Sequence, residues 1–354
     1  MSQKILLVTK NQFGYQTDYY KYACYLKNLY DITYFSFDNS KKKIHEEKIK
    51  SVYICANTSY LGRALLFYYK LIRFLQTNKV DLIIIKSFDY CFFLKLLFPK
   101  KKFILDLRSS AISLNQIKRL YHNLLIRLNT KFFSNITIIS EGLAQKLHLK
   151  NYCVVPLGAE IISKKNKQFD ELKLMYIGTL DNRDVDKTVK GVKLFLSKEH
   201  NVETFEYHIF GKGKEFEECR LKNTIEECNL RKKVFFHGYK RHEEIVEYFD
   251  KCNVGVSYVP ITFFYDNQPP TKTFEYLLSG MACIATGTSE NKKIIVPENG
   301  ILCADSAENF ARSLEKLYKN RNRYHSDMIR STVINAQWDK IVNNILLRVI
   351  KKII

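Results

Sequence analysis

Short apolar runs alternate along the whole chain with stretches in which apolar residues recur every three or four positions. Residues 5–9 (ILLVT) open the series and run out into polar Lys10, Asn11 and Gln12 and then Gly14, as a buried parallel strand opening onto a loop does. Residues 19–30 carry helical spacing through Tyr20, Cys24 and Leu26, and residues 32–37 read as the next strand. Residues 41–50 read as a charged loop and 59–76 as a second helix. Residues 81–85 (DLIII), 103–107 (FILDL) and 136–139 (ITII) are further short strands, and 151–160 form a last one, punctuated by Pro156 and Gly158. This rhythm predicts βαβ units and a parallel sheet, whose ligands gather at the carboxyl ends of the strands.

The pattern then restarts. Residues 172–177 (LKLMYI) lead into Gly178, 204–210 into Gly211 and 234–237 into Gly238, with further strands at 254–258 and 281–286. Helical patterns at 185–199, 216–228, 243–252, 306–320 and 338–354 separate or follow them. The expectation is an α/β protein of two Rossmann-like domains, residues 1–158 and 172–337, whose parallel sheets face a central cleft. A lysine-rich linker would span 159–171, and the closing helix 338–354 would pack back on the first domain.

Charge adds a second asymmetry. The 354 residues carry a formal net charge of +21, and up to Gly158 there are 25 basic and 9 acidic residues, a balance of +16. Such a front half suits nucleic acid, an acidic membrane surface or a phosphorylated substrate, and a Lys-rich codon bias would raise the total without any partner. The helix at about 112–133 contributes: Ile117, Leu120, Tyr121, Leu124 and Leu128 line one face, while Lys118, Arg119, Arg127 and Lys131 lie off it. It could lie in a membrane interface or pack its apolar face on the sheet. No RNP, helix-turn-helix or zinc-finger pattern supports nucleic acid. Nine cysteines are scattered singly, without metal-ligand spacing, and no apolar run reaches the length of a membrane span. With no secretory pattern at the start, the expected location is the cytosol.

Residues 266–286, DNQPPTKTFEYLLSGMACIAT, hold the densest chemistry. Pro269 and Pro270 set up a helix at about 271–279, Gly280 ends it, and a short strand follows. Lys272 and Glu275 share one helical face. A cation beside a helix N-terminus is electrostatically awkward, and an anionic ligand there would resolve it. A plain surface Lys–Glu pair is the other reading.

Gly178-Thr179-Leu180, Phe210-Gly211-Lys212-Gly213, Phe236-His237-Gly238-Tyr239 and the PTKTFEYLLSG segment, taken in order, resemble the retaining glycosyltransferases of family 4 from about residue 172 to 338. That resemblance implies a GT-B fold and a nucleotide-sugar donor, with no required metal or other cofactor. It implies that Lys272 and Arg183, with Lys187 next, meet the donor diphosphate. Glu275 would meet the ribose hydroxyls, with Gly178, Gly211, Gly238, Tyr239 and Thr271 also on the donor side. The family often has a glutamate eight positions before Glu275, where this chain has Asn267, taken here with Arg183 and Lys272 as the catalytic set. Gly14, Asp106 and Arg108 would stand on the acceptor side, the last two orienting the acceptor or making only a local ion pair. The resulting expectation is a glycosyltransferase acting on a polyprenyl-diphosphate-linked glycan in bacterial surface polysaccharide synthesis. It would work peripherally, on the anionic inner face of the cytoplasmic membrane. A GT-B sugar-nucleotide epimerase and a non-catalytic nucleotide-sugar-binding subunit are the alternatives.

Overall fold

The computed structural model describes residues 2–56, 58–111, 115–198, 202, 204–263 and 265–354. The chain divides into two units, Met1–Leu157 with Trp338–Ile354, and Gly158–Gln337.

Among the described residues, unit 1 holds seven strands: β1 Lys4–Val8, β2 Asp31–Phe37, β3 Ile49–Ile54, β4 Leu82–Lys86, β5 Phe103–Leu107, β6 Ile136–Ile138 and β7 Cys153–Val154. They lie in the order β3-β2-β1-β4-β5-β6-β7, and every pairing is parallel. The order reverses direction beside β1, the switch point at which sheets of this kind bind ligands. β1, β4 and β5 are buried almost throughout because helices cover both faces of a parallel sheet. The closing segment belongs here too: Trp338 is buried in the unit 1 core and meets Tyr22 edge to face, 6.1 Å between ring centres.

Unit 2 repeats the plan with β8 Leu172–Ile177, β9 Phe205–Phe210, β10 Val234–Phe236, β11 Val254–Ser257, β12 Ala282–Thr286 and β13 Gly300–Cys303, ordered β10-β9-β8-β11-β12-β13 and all parallel. The helix Thr271–Leu278 lies directly on β11. A Cβ on Gly255 would come within 2.2 Å of the Tyr276 ring, so only glycine allows that approach. The Tyr276 hydroxyl then accepts from Ile177 N at 2.8 Å, tying the helix to the end of β8.

Three expectations change. Residues 159–171 are part of unit 2 rather than a free linker: Ser163, Lys167 and Phe169 are buried, and Asn253 donates to the carbonyls of Gln168 and Glu171, both at 2.6 Å. β3 and β13 occupy stretches not expected as strands; each is an edge strand, with apolar runs too short to stand out. The helix expected at 112–133 is Gln116–Thr130, with residues 112–114 outside the described residues. It turns Leu125 and Asn129 inward and leaves Ile117, Leu120, Tyr121 and Leu124 in solvent, so that face does not pack on the sheet.

Candidate donor site

The ends of β8, β9 and β10 are held together by backbone. Gly178 N donates to Phe210 O at 3.0 Å, and Gly211 N donates to Gly238 O at 2.9 Å. A Cβ on Gly211 would stand 1.9 Å from the Gly178 carbonyl oxygen, so the glycine there answers to a neighbouring strand. Gly178 has φ +145° and Gly238 φ +68°, both in the left-handed region. Around Gly238 the space is open, and Tyr239 beyond it is 69% exposed.

After Gly178 the chain makes a tight loop. The Tyr176 hydroxyl donates to Thr179 O at 2.8 Å, and Leu180 N donates to Lys212 O at 3.0 Å. Arg183 is flanked by Asn182 at φ +54° and Asp184 at φ +48°, two residues of the types that adopt the left-handed turn conformation most readily after glycine. Arg183 lies over the Tyr265 ring at 3.9 Å, and its buried Nη1 makes no hydrogen bond within the protein.

Lys272 is the second residue of its helix, whose N-cap is Pro270 and has no side-chain cap, so the first-turn amides have no side-chain acceptor there. Its ammonium sits 3.7 Å from the Tyr176 ring centre and 3.4 Å from Tyr258 O. Burial, reinforced by Arg183, holds its pKa well below the ordinary lysine value. One turn on, burial and the neighbouring Glu160 push Glu275 up to about 7, against the opposing pull of Lys272. These groups line a pocket of about 360 Å3 with Gly178, Thr179, Thr271, Ile162 and Ile245. A lysine at a helix N-terminus, a guanidinium and a carboxylate one helical turn away suit a ligand with a diphosphate at one end and a diol next to it.

Gly178, Arg183, Thr271, Lys272 and Glu275 therefore come together, with Gly211 and Gly238 on the adjoining strand ends. Asn267 does not line this pocket; it lies in the turn leading to the helix. The neighbouring carboxylate, Asp266, is committed to Ser289, accepting from its amide at 2.8 Å and its hydroxyl at 2.5 Å. Lys187 is held between Asp184 and Asp305, both at 3.1 Å, and braces the loop instead of facing the pocket. Glu160 was missed: nothing in a GAE tripeptide announces a carboxylate beside Glu275.

On the acceptor side the local ion pair is the arrangement found. Asp106 is buried, accepts from Thr137 Oγ1 at 2.8 Å and stands 3.9 Å from Arg108, so it is closed to an acceptor. Arg108 donates from Nε to Asp18 at 2.6 Å and from Nη1 to Val155 O at 2.7 Å. Gly14, at φ +87°, packs against Ile44.

Each unit is a parallel-sheet Rossmann-like domain, and together they define the GT-B class of fold. The chain is similar over 99% of its length to a sucrose-phosphate synthase from Thermosynechococcus elongatus, with a TM-score of 0.77, 15% identity and 98% of that chain covered. It is similar to Anabaena HepE, solved in complex with UDP, with a TM-score of 0.75 and 11% identity over 99% of this chain and 100% of the other. A third likeness is the lipopolysaccharide outer core galactosyltransferase WaaB, with a TM-score of 0.68 and 18% identity over 98% of this chain and 99% of that one. At these identities the likeness shows the fold. No curated protein sequence matches significantly. Residues 159–332, nearly all of unit 2, match the family model of glycosyl transferases group 1.

Proposed function

We propose that the protein transfers a sugar, with retention at the anomeric carbon, from a nucleotide-sugar donor to a lipid-linked glycan in the assembly of a bacterial surface polysaccharide. The carrying observation is the convergence of Lys272 and Arg183 on one pocket at an uncapped helix start, with Glu275 one turn further along. As the bond to the sugar breaks, negative charge grows on the departing nucleoside diphosphate. Preset cations and amides stabilise it where it develops, the largest single contribution expected in such transfers. Because protein cations supply that charge, transfer proceeds in the presence of a chelator. The neighbour solved with UDP makes uridine nucleotides the first probes, and the likeness to a lipopolysaccharide galactosyltransferase supports the surface-glycan setting. The unit 1 surface, with its excess of basic residues, would hold the enzyme at the inner face of the cytoplasmic membrane.

The test is incubation of the purified protein with a panel of nucleotide sugars, scoring transfer, donor hydrolysis and epimerisation. Lys272→Ala and Glu275→Ala should each abolish transfer while circular dichroism stays unchanged. Transfer retained by both variants refutes the site. Epimerised product, or binding with no turnover, refutes the reaction.

A further inference from the structure

A second pocket, of about 190 Å3, lies in unit 1 at the carboxyl ends of β4 and β5, walled by Lys86, Ser87, Asp89, Arg108 and His122. It is too small for a drug-sized ligand, which takes roughly 300–1,000 Å3. Its polar lining is unfinished. Arg108, almost wholly buried, spends Nε and Nη1 on Asp18 and Val155 and leaves Nη2 without a hydrogen-bond partner. Burial lowers the pKa of Lys86, offset by Asp18 and Asp106, with Arg108 adding to the lowering. His122 meets Asp89 at 3.1 Å, the one carboxylate in the lining. An ammonium and a guanidinium walling one small space call for a ligand rich in acceptors, and a phosphate supplies them.

The helix that brings His122 and Ile126 to this pocket also carries the exposed apolar face. Ile117, Leu120 and Leu124 are 79%, 68% and 63% exposed. Tyr121 on that face meets the Tyr90 hydroxyl, and Tyr90 leads to exposed Phe93 with ring centres 6.4 Å apart. An apolar strip of this extent marks an interaction surface. We infer that the two features form one site for a lipid phosphate, its phosphate in the Lys86–Arg108 pocket and its hydrocarbon chain along the Leu120–Leu124 face. This rests on the lipid-linked acceptor proposed above and names the residues that would hold it. A free sugar phosphate would use the pocket and leave the strip idle. An anionic bilayer would use the strip with Lys118 and Arg119 and leave the Lys86–Arg108 pocket idle.

Titration calorimetry on the full chain separates these cases, using farnesyl phosphate, farnesol and inorganic phosphate, with flotation on phosphatidylglycerol vesicles alongside. Farnesyl phosphate should bind at least tenfold more tightly than either fragment. Lys86→Met and the surface pair Leu120→Glu with Leu124→Glu should each weaken it tenfold or more, and only the pocket variant should weaken inorganic phosphate. If Lys86→Met does not fold, Ser87→Ala makes the same comparison. Farnesyl phosphate binding no better than inorganic phosphate overturns the proposal in favour of a soluble phosphate. Loss of vesicle binding in the leucine variant, with farnesyl phosphate unaffected by the pocket variants, overturns it in favour of a membrane surface. UDP should raise the melting temperature of every one of these variants, and its failure to do so throughout would fault the donor site alone.

Discussion

Replacing Glu275 by glutamine should stabilise the protein, and more so as pH rises. In the unfolded chain the carboxyl ionises at its ordinary value of 4.5, and in the folded protein at about 7. Below 4.5 both states hold the proton and the group contributes nothing. As pH rises from there the unfolded chain releases it first, so stability falls, and the full penalty is reached above 7. At ~1.36 kcal/mol for each tenfold change in proton affinity, the gap amounts to about 3 kcal/mol at pH 8 and about 1 kcal/mol at pH 5. Glu275 retains some contact with solvent, which screens the interaction, so these are ceilings. Lys272 is present in both proteins, and its own depressed pKa cancels to first order. Urea unfolding by circular dichroism at pH 5 and pH 8, with hydrogen exchange of β8 amides as the local readout, measures the difference. Glu275→Gln should gain about 1–3 kcal/mol at pH 8, gain less at pH 5, and lose nucleotide affinity at both. A difference that does not grow with pH, or a variant less stable at pH 8, refutes the reasoning.

Binding of UDP should take up protons at a pH below the ordinary lysine range, because an anion beside Lys272 raises a pKa that burial and Arg183 hold down; calorimetry in two buffers of different ionisation enthalpy, repeated across pH, measures the uptake, and Lys272→Arg should remove it. Gly211→Ala should lower the melting temperature more than Gly238→Ala. The first drives a Cβ into the Gly178 carbonyl, while the second adds only the left-handed strain of φ +68° in open space, about 1–2 kcal/mol. Trp338→Ala should cost about 3–5 kcal/mol by emptying a buried site against Tyr22, seen as early unfolding of unit 1 in hydrogen exchange.

The strands of both sheets were legible because a parallel strand covered on two faces must be an unbroken apolar run, as in DLIII and LKLMYI. β3 (IKSVYI) mixes polar with apolar residues and β13 (GILC) is only four residues long, so neither stands out as an apolar run. Lys272, Glu275 and Gly178 were legible because a proline pair, a helix start and a glycine turn fix their places within a few residues. Of the proposed acceptor pocket Arg108 was legible and Lys86 and His122 were not, since these come from another strand end and a distant helix, and only the fold makes the three neighbours. Periodicity likewise showed that the helix Gln116–Thr130 is amphipathic without saying which face is covered. Asp106 misled for a related reason: a carboxylate at a strand end looks available, but a Thr137 hydroxyl and burial close it off.

What most separates the donor site from an ordinary surface ion pair is the electrostatic cost of its residues. A surface Lys–Glu pair leaves both groups near their ordinary pKa values, since water solvates each charge. Here burial works against both charges at once, lowering Lys272 and raising Glu275, and the guanidinium of Arg183 adds to the cost of the lysine. An ion pair kept for stability would be better replaced by packed apolar residues. A site that holds two cations close together, with one guanidinium nitrogen unpartnered, recovers that energy only when an anion enters. On the proposed function, a bound diphosphate relieves the cost that burial and Arg183 place on Lys272.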